Sequence, residues 1–499
     1  MYKDTSQPTI DQFIFPYGQL DPDNRWVRMA ELVPWDEVEK AYAKGFGKTG
    51  APAHPARMAL GALLIKRIVG CSDAALVENV AENPYMQFFI GMREFGSECP
   101  FGASTLVAFR KRFPDGEIAR INALVVERAR REAEGDGGCD DDSCDGSNDG
   151  NDDGAAGNGG TLVMDATVAP SNIAYPTDVR LLSEAREKLE GMVDCLCAQT
   201  GAKRPRMRRN VARKDYLNWA KSKRKGAKAS RKARRRQLGY VKRDLGFVDG
   251  IVENGAQLTE RQEAVLEVIR RLYGQQLEMH ENRTRKVDGR IVSIEQHWVR
   301  PIVRGKAHAN TEFGAKVHLC IEGGWCSIDR MSFDAYNEAS RLIPAAEAYF
   351  GRNGRWPERI LADKIYLNRE NRAWCKERGI RLSGPKLGRP SKDAGAERER
   401  RRVEAGDAAD RNCVEGAFGA MKRAYGMDRV MARLKETTET VIALSVLSFN
   451  LKKLAALLHA LIRQLSAAAA MLLETVIAAA FPGFAPQRSA GVGSRIGAA

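Results

Sequence analysis

The sequence predicts an α/β protein that has a mixed sheet, a long basic helical insertion and an all-α N-terminal domain. Three observations support this class. Short capped helices fill residues 55–113, strand-like runs alternate with helices over 290–382, and about 180–285 is helical without a strand pattern. The chain of 499 residues is long enough to bury several sizeable cores.

The first 133 residues are predicted to form the N-terminal domain. Turn and capping residues separate short amphipathic helices at 56–69, 73–82, 84–90 and 106–113. The last helix is basic and carries Arg110, Lys111 and Arg112. Short helices that end in a basic one are typical of a helix-turn-helix-like DNA-binding domain. An ordinary helical packing domain explains the same pattern.

An acidic run follows over residues 134–160. It is rich in Gly, Asp, Asn and Ser and has too few apolar residues to bury a core. We predict a disordered linker that separates the N-terminal domain from a second domain over 161–455.

The helical insertion, about 180–285, carries most of the excess positive charge. Between Lys203 and Arg243 there are 19 Lys or Arg residues and one acid, Asp215, whereas the net charge of the whole chain is +15. A concentrated patch of this kind indicates a polyanion partner such as DNA, and a solvated surface or linker is the alternative. The candidate DNA contacts in it are Arg231, Lys232, Arg234, Arg235 and Arg236.

The sheet is predicted from alternating apolar and polar residues bounded by turns. Strands are expected at 161–165, 290–294, 315–321, 325–328, 359–362 and 380–382, with helices at 334–350 and 368–378. Gly323–Gly324 is the expected hairpin turn. The basic segment 384–392 is predicted to be a rigid loop, which either touches DNA or is plain surface.

The C-terminal part of the chain is apolar but not uniformly so. Polar residues such as Asn450, Lys452 and Arg463 interrupt the stretch Thr440–Ala480, so a buried or partner-facing helix is expected there instead of a membrane span. Residues 456–499 are predicted to be an alanine-rich helical tail. The ten cysteines include no CxxC pair, and the N-terminus has no apolar signal core, so we expect reduced thiols and a cytoplasmic protein.

Three acidic residues from distant segments are the candidate catalytic and metal-binding residues. Asp165 and Asp363 end apolar strand-like runs, and Glu415 lies on a predicted helix. A carboxylate at the end of a buried strand has to be paired, hydrogen-bonded or metal-bound, and three that converge would suit a hard divalent cation. Together with the basic patch, this suggests phosphodiester chemistry on nucleic acid.

The helix around Glu415 has a polar stripe and an apolar stripe. Arg411, Glu415 and Lys422 fall within about 60° of one another at 100° per residue. The apolar stripe beside them would dock the helix on the sheet and aim Glu415 at the strand ends. The alternative is that the three polar residues form weak salt bridges on a solvated face.

Several of these segments together resemble the DDE transposases of bacterial insertion sequences, which have a ribonuclease-H-like catalytic core. The resembling segments are Asp165–Pro170 with Tyr175–Asp178, Arg304–Lys306 with Glu312–Lys316, and Ala362–Tyr366. Arg411, Glu415 and Lys422 are similar in spacing to the family's tyrosine, arginine, glutamate and lysine signature, whose tyrosine position falls on Ala408. The resemblance covers about residues 20–455, including the N-terminal helices.

The resemblance implies a transposase that binds terminal inverted repeats and performs two-metal phosphoryl transfer. Asp165, Asp363 and Glu415 would hold two Mg²⁺ ions, for which Mn²⁺ can substitute, and Arg411 and Lys422 would contact phosphate. The implied partners are double-stranded DNA at the repeats and the target, and further copies of the chain when DNA ends are bound, with no membrane. The implied location is the bacterial cytoplasm, in association with the nucleoid. A metal-dependent nuclease without strand transfer and a non-catalytic DNA-binding derivative are the alternatives.

Overall fold

The computed structural model describes residues 7–16, 18–47, 52–113, 116–134, 158–303, 311–384 and 394–480. The predicted loop beyond Gly384, the segment Arg304–Lys306, most of the acidic linker and the last 19 residues lie outside the described residues. In the described part the N-terminal helices are α1 Arg25–Leu32, α2 Trp35–Ala43, α3 Ala56–Val69, α4 Asp73–Glu82, α5 Pro84–Phe89, α6 Thr105–Arg112 and α7 Glu117–Glu134.

The remaining elements form a helical insertion and a sheet covered by helices. The helices are α8 Asp178–Thr200, α9 Arg209–Lys221, α10 Ala227–Glu253, α11 Glu260–Glu281, α12 Leu342–Asn353, α13 Arg369–Glu377, α14 Ala394–Ala424 and α15 Lys435–Ala480. The strands are β1 Thr161–Pro170, β2 Arg300–Val303, β3 Thr311–Glu322, β4 Trp325–Ser332, β5 Arg359–Leu361 and β6 Arg381–Leu382.

The predicted N-terminal helices are confirmed nearly to the residue, because their ends are set by local chemistry. Gly70 ends α3 with φ +74°, a backbone conformation that glycine adopts without strain. The side chain of Ser72 accepts a hydrogen bond from Ala75 N at the start of α4. Asn83 caps α5, and Pro84 occupies its first turn.

The N-terminal helices share one hydrophobic core with the C-terminal helix. Trp26, Leu60 and Phe89 are fully buried in a cluster that also contains Leu447 and Leu451 of α15. Asn122 of α7 and Asn450 of α15 are hydrogen-bonded to each other at 2.8 Å, and both donate to Cys326 O in β4. Residues from the two ends of the chain therefore complete one packed unit.

The sheet is mixed, as predicted, and β1 lies at its centre. It is antiparallel to β3 and parallel to β5, which in turn pairs in parallel with β6. β2 and β4 are antiparallel to successive parts of β3, and Gly323 and Gly324, both with positive φ, form the predicted turn between β3 and β4. This order is consistent with a ribonuclease-H-like core.

Helices cover both faces of the sheet. Alternate residues of β1 point to opposite faces: Leu162 and Met164 join the core formed with α12 and α13, and Val163 joins the core formed with α14 and α15. Asp165 continues the Val163 side and therefore faces α14. The helical insertion follows β1 and precedes β2 in the chain. Its helices α8, α10 and α11 pack around a separate apolar core.

The strand predicted at 290–294 is wrong. The segment is irregular, although Ile291, Val292 and Ile294 are all buried. Ile291 and Ile294 pack in the core of the helical insertion, whereas Val292 packs in the core under the sheet. The apolar residues of this segment pack into two different cores. The resulting order of apolar and polar residues resembles the pattern of a strand.

The helix α15 is continuous from Lys435 to Ala480, so the predicted tail begins inside a helix. In the described residues, Lys435–Ala460 is long and apolar enough to cross a membrane by length and composition. In the 18 consecutive residues of this segment with the highest mean hydropathy, 56% are buried inside the protein. That burial is accounted for by the cores that α15 shares with the N-terminal helices and the sheet.

Candidate active site

A cleft of about 660 Å³ lies between the sheet and α14. Its walls include the five residues that the sequence predicts for the catalytic centre, namely Asp165, Asp363, Glu415, Arg411 and Lys422. Asp165 comes from β1, Asp363 follows β5 directly, and the other three lie on α14. Because β1 and β5 are parallel neighbours, the two aspartates project from the same side of the sheet.

Asp165 is the most buried of the three carboxylates. Its Oδ1 accepts a hydrogen bond from Ala166 N at 2.7 Å. Burial raises the pKa of Asp165, and the charges of Glu338 and Asp363 raise it further, against the opposing effects of the Ala166 N–H and Arg411. The carboxylate therefore lies in a site with an excess of negative charge, which a bound cation would relieve.

Asp363 is held by two contacts in the turn after β5. Its Oδ1 accepts a hydrogen bond from Lys364 N at 2.7 Å, as the cap of a short 3-10 turn over Lys364–Tyr366. The same oxygen lies 3.3 Å from Nη1 of Arg411. In the protein without ligands, the guanidinium of α14 thus neutralises the aspartate of the strand end.

Glu415 is exposed on the cleft side of α14, because the apolar face of that helix packs against the sheet. Val414, Phe418 and Met421 are buried in the core beneath it. The predicted docking of the helix is therefore confirmed. Ala408, at the position of the family tyrosine, is exposed on the same helix, and its methyl group cannot make an aromatic or hydroxyl contact.

The cleft has the chemistry of a site for a hard cation, although its acidic side chains stand apart. Among the described residues, no three His, Cys, Asp or Glu side chains lie close enough to hold a metal ion together. The cleft nonetheless presents four carboxylates and no histidine or cysteine. Oxygen donors alone suit Mg²⁺ or Mn²⁺, so the residues fit the expected ions in kind.

Two charged residues of the cleft were missed by the sequence reasoning. Lys316 on β3 and Glu338 after β4 form an ion pair at 2.7 Å, and both side chains are largely buried. Lys316 also donates a hydrogen bond to Tyr336 O at 2.9 Å. The signals for Lys316 were its polar position in an apolar strand and its place in the family-like segment Glu312–Lys316. Glu338 had no signal, because it begins a short 3-10 turn.

A buried polar network lies behind the Asp363 turn. His318, which the sequence assigns to a strand, lies on β3, and its Nε2 is 2.9 Å from the hydroxyl of Tyr366. Its Nδ1 lies 3.0 Å from Asp329, which also accepts two hydrogen bonds from Arg341. Burial opposes ionisation of Asp329, but the adjacent His318 and the hydrogen bonds from Arg341 lower its pKa to about 2.

A second network ties α14 to the strands. The buried Asp407 accepts hydrogen bonds from Arg381 at 2.5 and 2.9 Å and from Arg359 at 3.2 Å. Arg359 also donates to Thr161 Oγ1 at 2.7 Å and pairs with Asp410 at 2.8 Å. Asp407 thus connects the helix of Glu415 to the strand that leads to Asp363, about 12 Å along the helix from Glu415. The sequence reasoning missed this contact because its partners are far apart in the chain.

The basic residues of the insertion divide into exposed and structural ones. Arg231, Lys232 and Arg235 are exposed on α10. Arg234 is instead largely buried and pairs at 2.6 Å with Asp178, which also receives a hydrogen bond from Arg290. Arg236 is exposed and pairs with Asp215 at 2.8 Å. The exposed residues thus form a basic surface, whereas Arg234 stabilises the packing of α8 against α10.

The three basic residues of α6 differ in the same way. Lys111 is exposed, whereas Arg112 donates a hydrogen bond to Gly45 O at 2.8 Å and lies over the ring of Phe46. Arg110 points toward α4, where it pairs with Asp73 at 2.6 Å. Of these three residues in the described structure, Lys111 is the one that extends into solvent.

Comparison with known proteins places two family matches on these elements. The family described as Transposase DDE domain matches residues 360–452, and the family described as Transposase domain (DUF772) matches residues 16–112. A curated relative from Rhizobium meliloti, Uncharacterized protein ORF8 in nfe locus, is 31% identical over 170 residues, which are 34% of this chain and 73% of the relative. No solved structure matches the chain.

Proposed function

Because this chain belongs to the insertion-sequence transposases of the DDE type, which are phosphoryl-transfer enzymes with DNA as partner, we propose that it binds terminal inverted repeats, cleaves DNA there and joins the ends to a target. One observation carries the proposal. Asp165, Asp363 and Glu415, separated by up to 250 residues in sequence, line one cleft together with Arg411 and Lys422.

The three acids would hold the metal ions of the reaction. When bound, two Mg²⁺ or Mn²⁺ ions lower the pKa of an attacking water and stabilise the charge of the leaving oxygen. The raised pKa of Asp165 supports this role, because burial and then the charges of Glu338 and Asp363 disfavour a bare carboxylate, which a bound cation would stabilise. Lys316, paired with Glu338, would keep that fourth carboxylate fixed at the cleft wall.

Arg411 would change partners when DNA and metal arrive. It neutralises Asp363 in the free protein, and its planar guanidinium is suited to bind a phosphate with two hydrogen bonds. If Asp363 held a cation, Arg411 would no longer be needed to neutralise it and could bind the DNA backbone instead. Lys422 would contribute a second positive charge to the same phosphate path.

The exposed cations of α10 would add further contacts to the DNA backbone. Arg231, Lys232 and Arg235 lie on the insertion, and contacts of this kind add affinity without sequence preference. Recognition of the repeats is assigned to the N-terminal helices. As part of this proposal, copies of the chain pair when DNA ends are bound, and the protein acts in the cytoplasm at the nucleoid.

The test is a cleavage and joining assay with the full chain, DNA from the borders of its own gene, a target plasmid and Mg²⁺. Asp363→Asn, Asp165→Asn and Glu415→Gln should each lose cleavage by at least about 100-fold, since even an outer partner of a metal ligand is worth 10- to 100-fold. Binding of the border DNA should change little, because the charge removed is not a DNA contact.

Lys376→Gln, an exposed change on α13 across the sheet, is the control and should retain activity. Full cleavage by any one of the three acid variants would show that the acids are misassigned. Cleavage without any joined product would favour the metal-dependent nuclease. Binding without cleavage by the wild-type chain would favour the non-catalytic derivative.

A further inference from the structure

A second cleft, of about 420 Å³, lies between the N-terminal helices and the segment after α14. It is basic: Lys66, Arg67, Arg110 and Arg429 line it, against the single carboxylate of Asp73. Asp73 pairs with both Lys66 and Arg110. In the described part of the chain, Arg67 and Arg429 have no acidic partner within ion-pair distance.

Arg67 lies in this cleft, close to the backbone of the segment after α14. Its Nη1 donates to Tyr425 O at 3.3 Å, and a Cβ atom added to Gly426 would lie only 2.6 Å from the same nitrogen. Burial lowers the pKa of Arg67 to about 10, and the charge of Arg110 contributes in the same direction. A partly buried guanidinium beside another, without a carboxylate of its own, is stabilised by an anion.

Arg429 lies on the other side of the cleft, in a segment that contacts the end of β1. Its Nε donates to Asn172 Oδ1 at 2.9 Å. The next residue, Val430, donates to Pro170 O at 2.8 Å, so this segment runs beside the end of β1. Five residues separate Pro170 from Asp165, or about 17 Å along a strand.

We propose that this interdomain cleft binds a backbone phosphate of the DNA whose end lies in the catalytic cleft, a proposal that rests on the proposed function. A DNA strand advances about 3.4 Å per nucleotide, so about five nucleotides would cover the length of β1 from Asp165 to the bond that Pro170 makes with Val430. Arg67 belongs to the N-terminal helices and Arg429 to the catalytic half. A phosphate held by both fixes the position of the repeat relative to the carboxylates.

The experiment measures binding of the full chain to the border DNA as a function of salt. Arg67→Gln and Arg429→Gln should each lower the slope of log affinity against log salt by about 0.9, the value for one lost phosphate contact. Arg369→Gln is the matched control, an exposed arginine on the opposite face of the sheet without an ion pair among the described residues, and should leave the slope unchanged. Arg429 is exposed, so its variant keeps the test valid even where Arg67→Gln fails to fold.

A second arm identifies the anion. Border duplexes with a neutral methylphosphonate at one position each should bind the wild type more weakly at one position several nucleotides from the cleaved end, and this loss should disappear in Arg429→Gln. An unchanged salt slope in both variants, or no sensitive position, overturns the inference while leaving the proposed function intact. If inorganic phosphate alone raises the Tm of the wild type as much as the duplex does, the site takes free phosphate and the inference is wrong. A wild type that binds no DNA contradicts the proposed function itself.

Discussion

At the scale of single residues, Asp165 has an environment that opposes its own charge. Burial and two neighbouring carboxylates raise its pKa, so the ionised form lowers the stability of the folded protein relative to the protonated form. For an acid with a raised pKa in the fold, this cost is present above the folded pKa and disappears as the pH falls below the unfolded value.

The neutral variant Asp165→Asn should therefore have a higher Tm than the wild type in metal-free buffer at neutral pH, although it loses cleavage. Added Mg²⁺ should raise the Tm of the wild type and leave that of the variant unchanged, since a ligand stabilises only the state that binds it. Calorimetry with and without Mg²⁺ measures both effects. A variant that is less stable than the wild type without metal would contradict the assignment of Asp165 as a strained carboxylate.

Residues also show what the sequence could predict. Asp165, Asp363 and Glu415 leave a local signal, because each is a carboxylate beside an apolar run or an apolar helix stripe, and the cleft contains all three. The sequence predicts Asp165 at the end of its strand, whereas β1 continues to Pro170. Asp407 and Glu338 left no such signal, because their partners are distant in sequence. Arg110 and Arg234 were predicted as DNA contacts from local charge alone, which gives no information on the carboxylates that pair with them.

At the scale of elements, the position of α14 depends on the ion pairs of Asp407. Asp407→Asn should cost about 1–3 kcal/mol of stability, since it weakens buried hydrogen bonds to charged groups. It should also lower the cleavage rate and raise the Mg²⁺ concentration needed for half-maximal cleavage, because Glu415 would lose its alignment with Asp363. Thermal unfolding and a metal titration of the cleavage rate measure these effects.

The matched control for this variant is Asp178→Asn. Asp178 also binds two arginines, Arg234 and Arg290, but inside the helical insertion. A similar loss of stability with an unchanged Mg²⁺ requirement is expected for it. An equal shift of the Mg²⁺ requirement in both variants would mean that Asp407 acts only through global stability.

The basic face of α10 should act on DNA through charge alone. Changing Arg231, Lys232 and Arg235 to Gln should weaken binding of every sequence alike and lower the salt slope by about 0.9 for each lost contact. Arg234 is left unchanged, because its loss would disturb the packing of α8 against α10. An unchanged slope in a filter-binding titration would identify the face as solvated surface.

Elements were predicted well where their ends depend on adjacent residues. The bounds of α3 and α4 follow from Gly70 and Ser72, and the β3–β4 hairpin follows from Gly323–Gly324. The segment 290–294 was predicted wrongly, because its alternation comes from two cores on either side of it. Its conformation is decided by tertiary packing, which a local pattern does not contain.

At the scale of the whole molecule, stability depends on the contact between the N-terminal helices and α15. Leu447→Ala should cost about 2–5 kcal/mol, the usual range for a fully buried leucine. Leu472→Ala, on the exposed part of the same helix, should cost less than about 0.5 kcal/mol. Chemical denaturation of the two variants measures the difference, and equal midpoints would contradict the packing of α15.

The shared core has a consequence for the protein while it is being made. The N-terminal helices leave the ribosome first, but Leu447, Leu451 and Leu454, which fill their core, are synthesised more than 300 residues later. At bacterial and eukaryotic rates of about 5–20 residues per second, this delay is on the order of tens of seconds. During that time the N-terminal helices of a nascent chain lack part of their hydrophobic core. A product that stops before α15 would likewise lack these leucines, so premature termination would yield N-terminal helices whose hydrophobic core is incomplete.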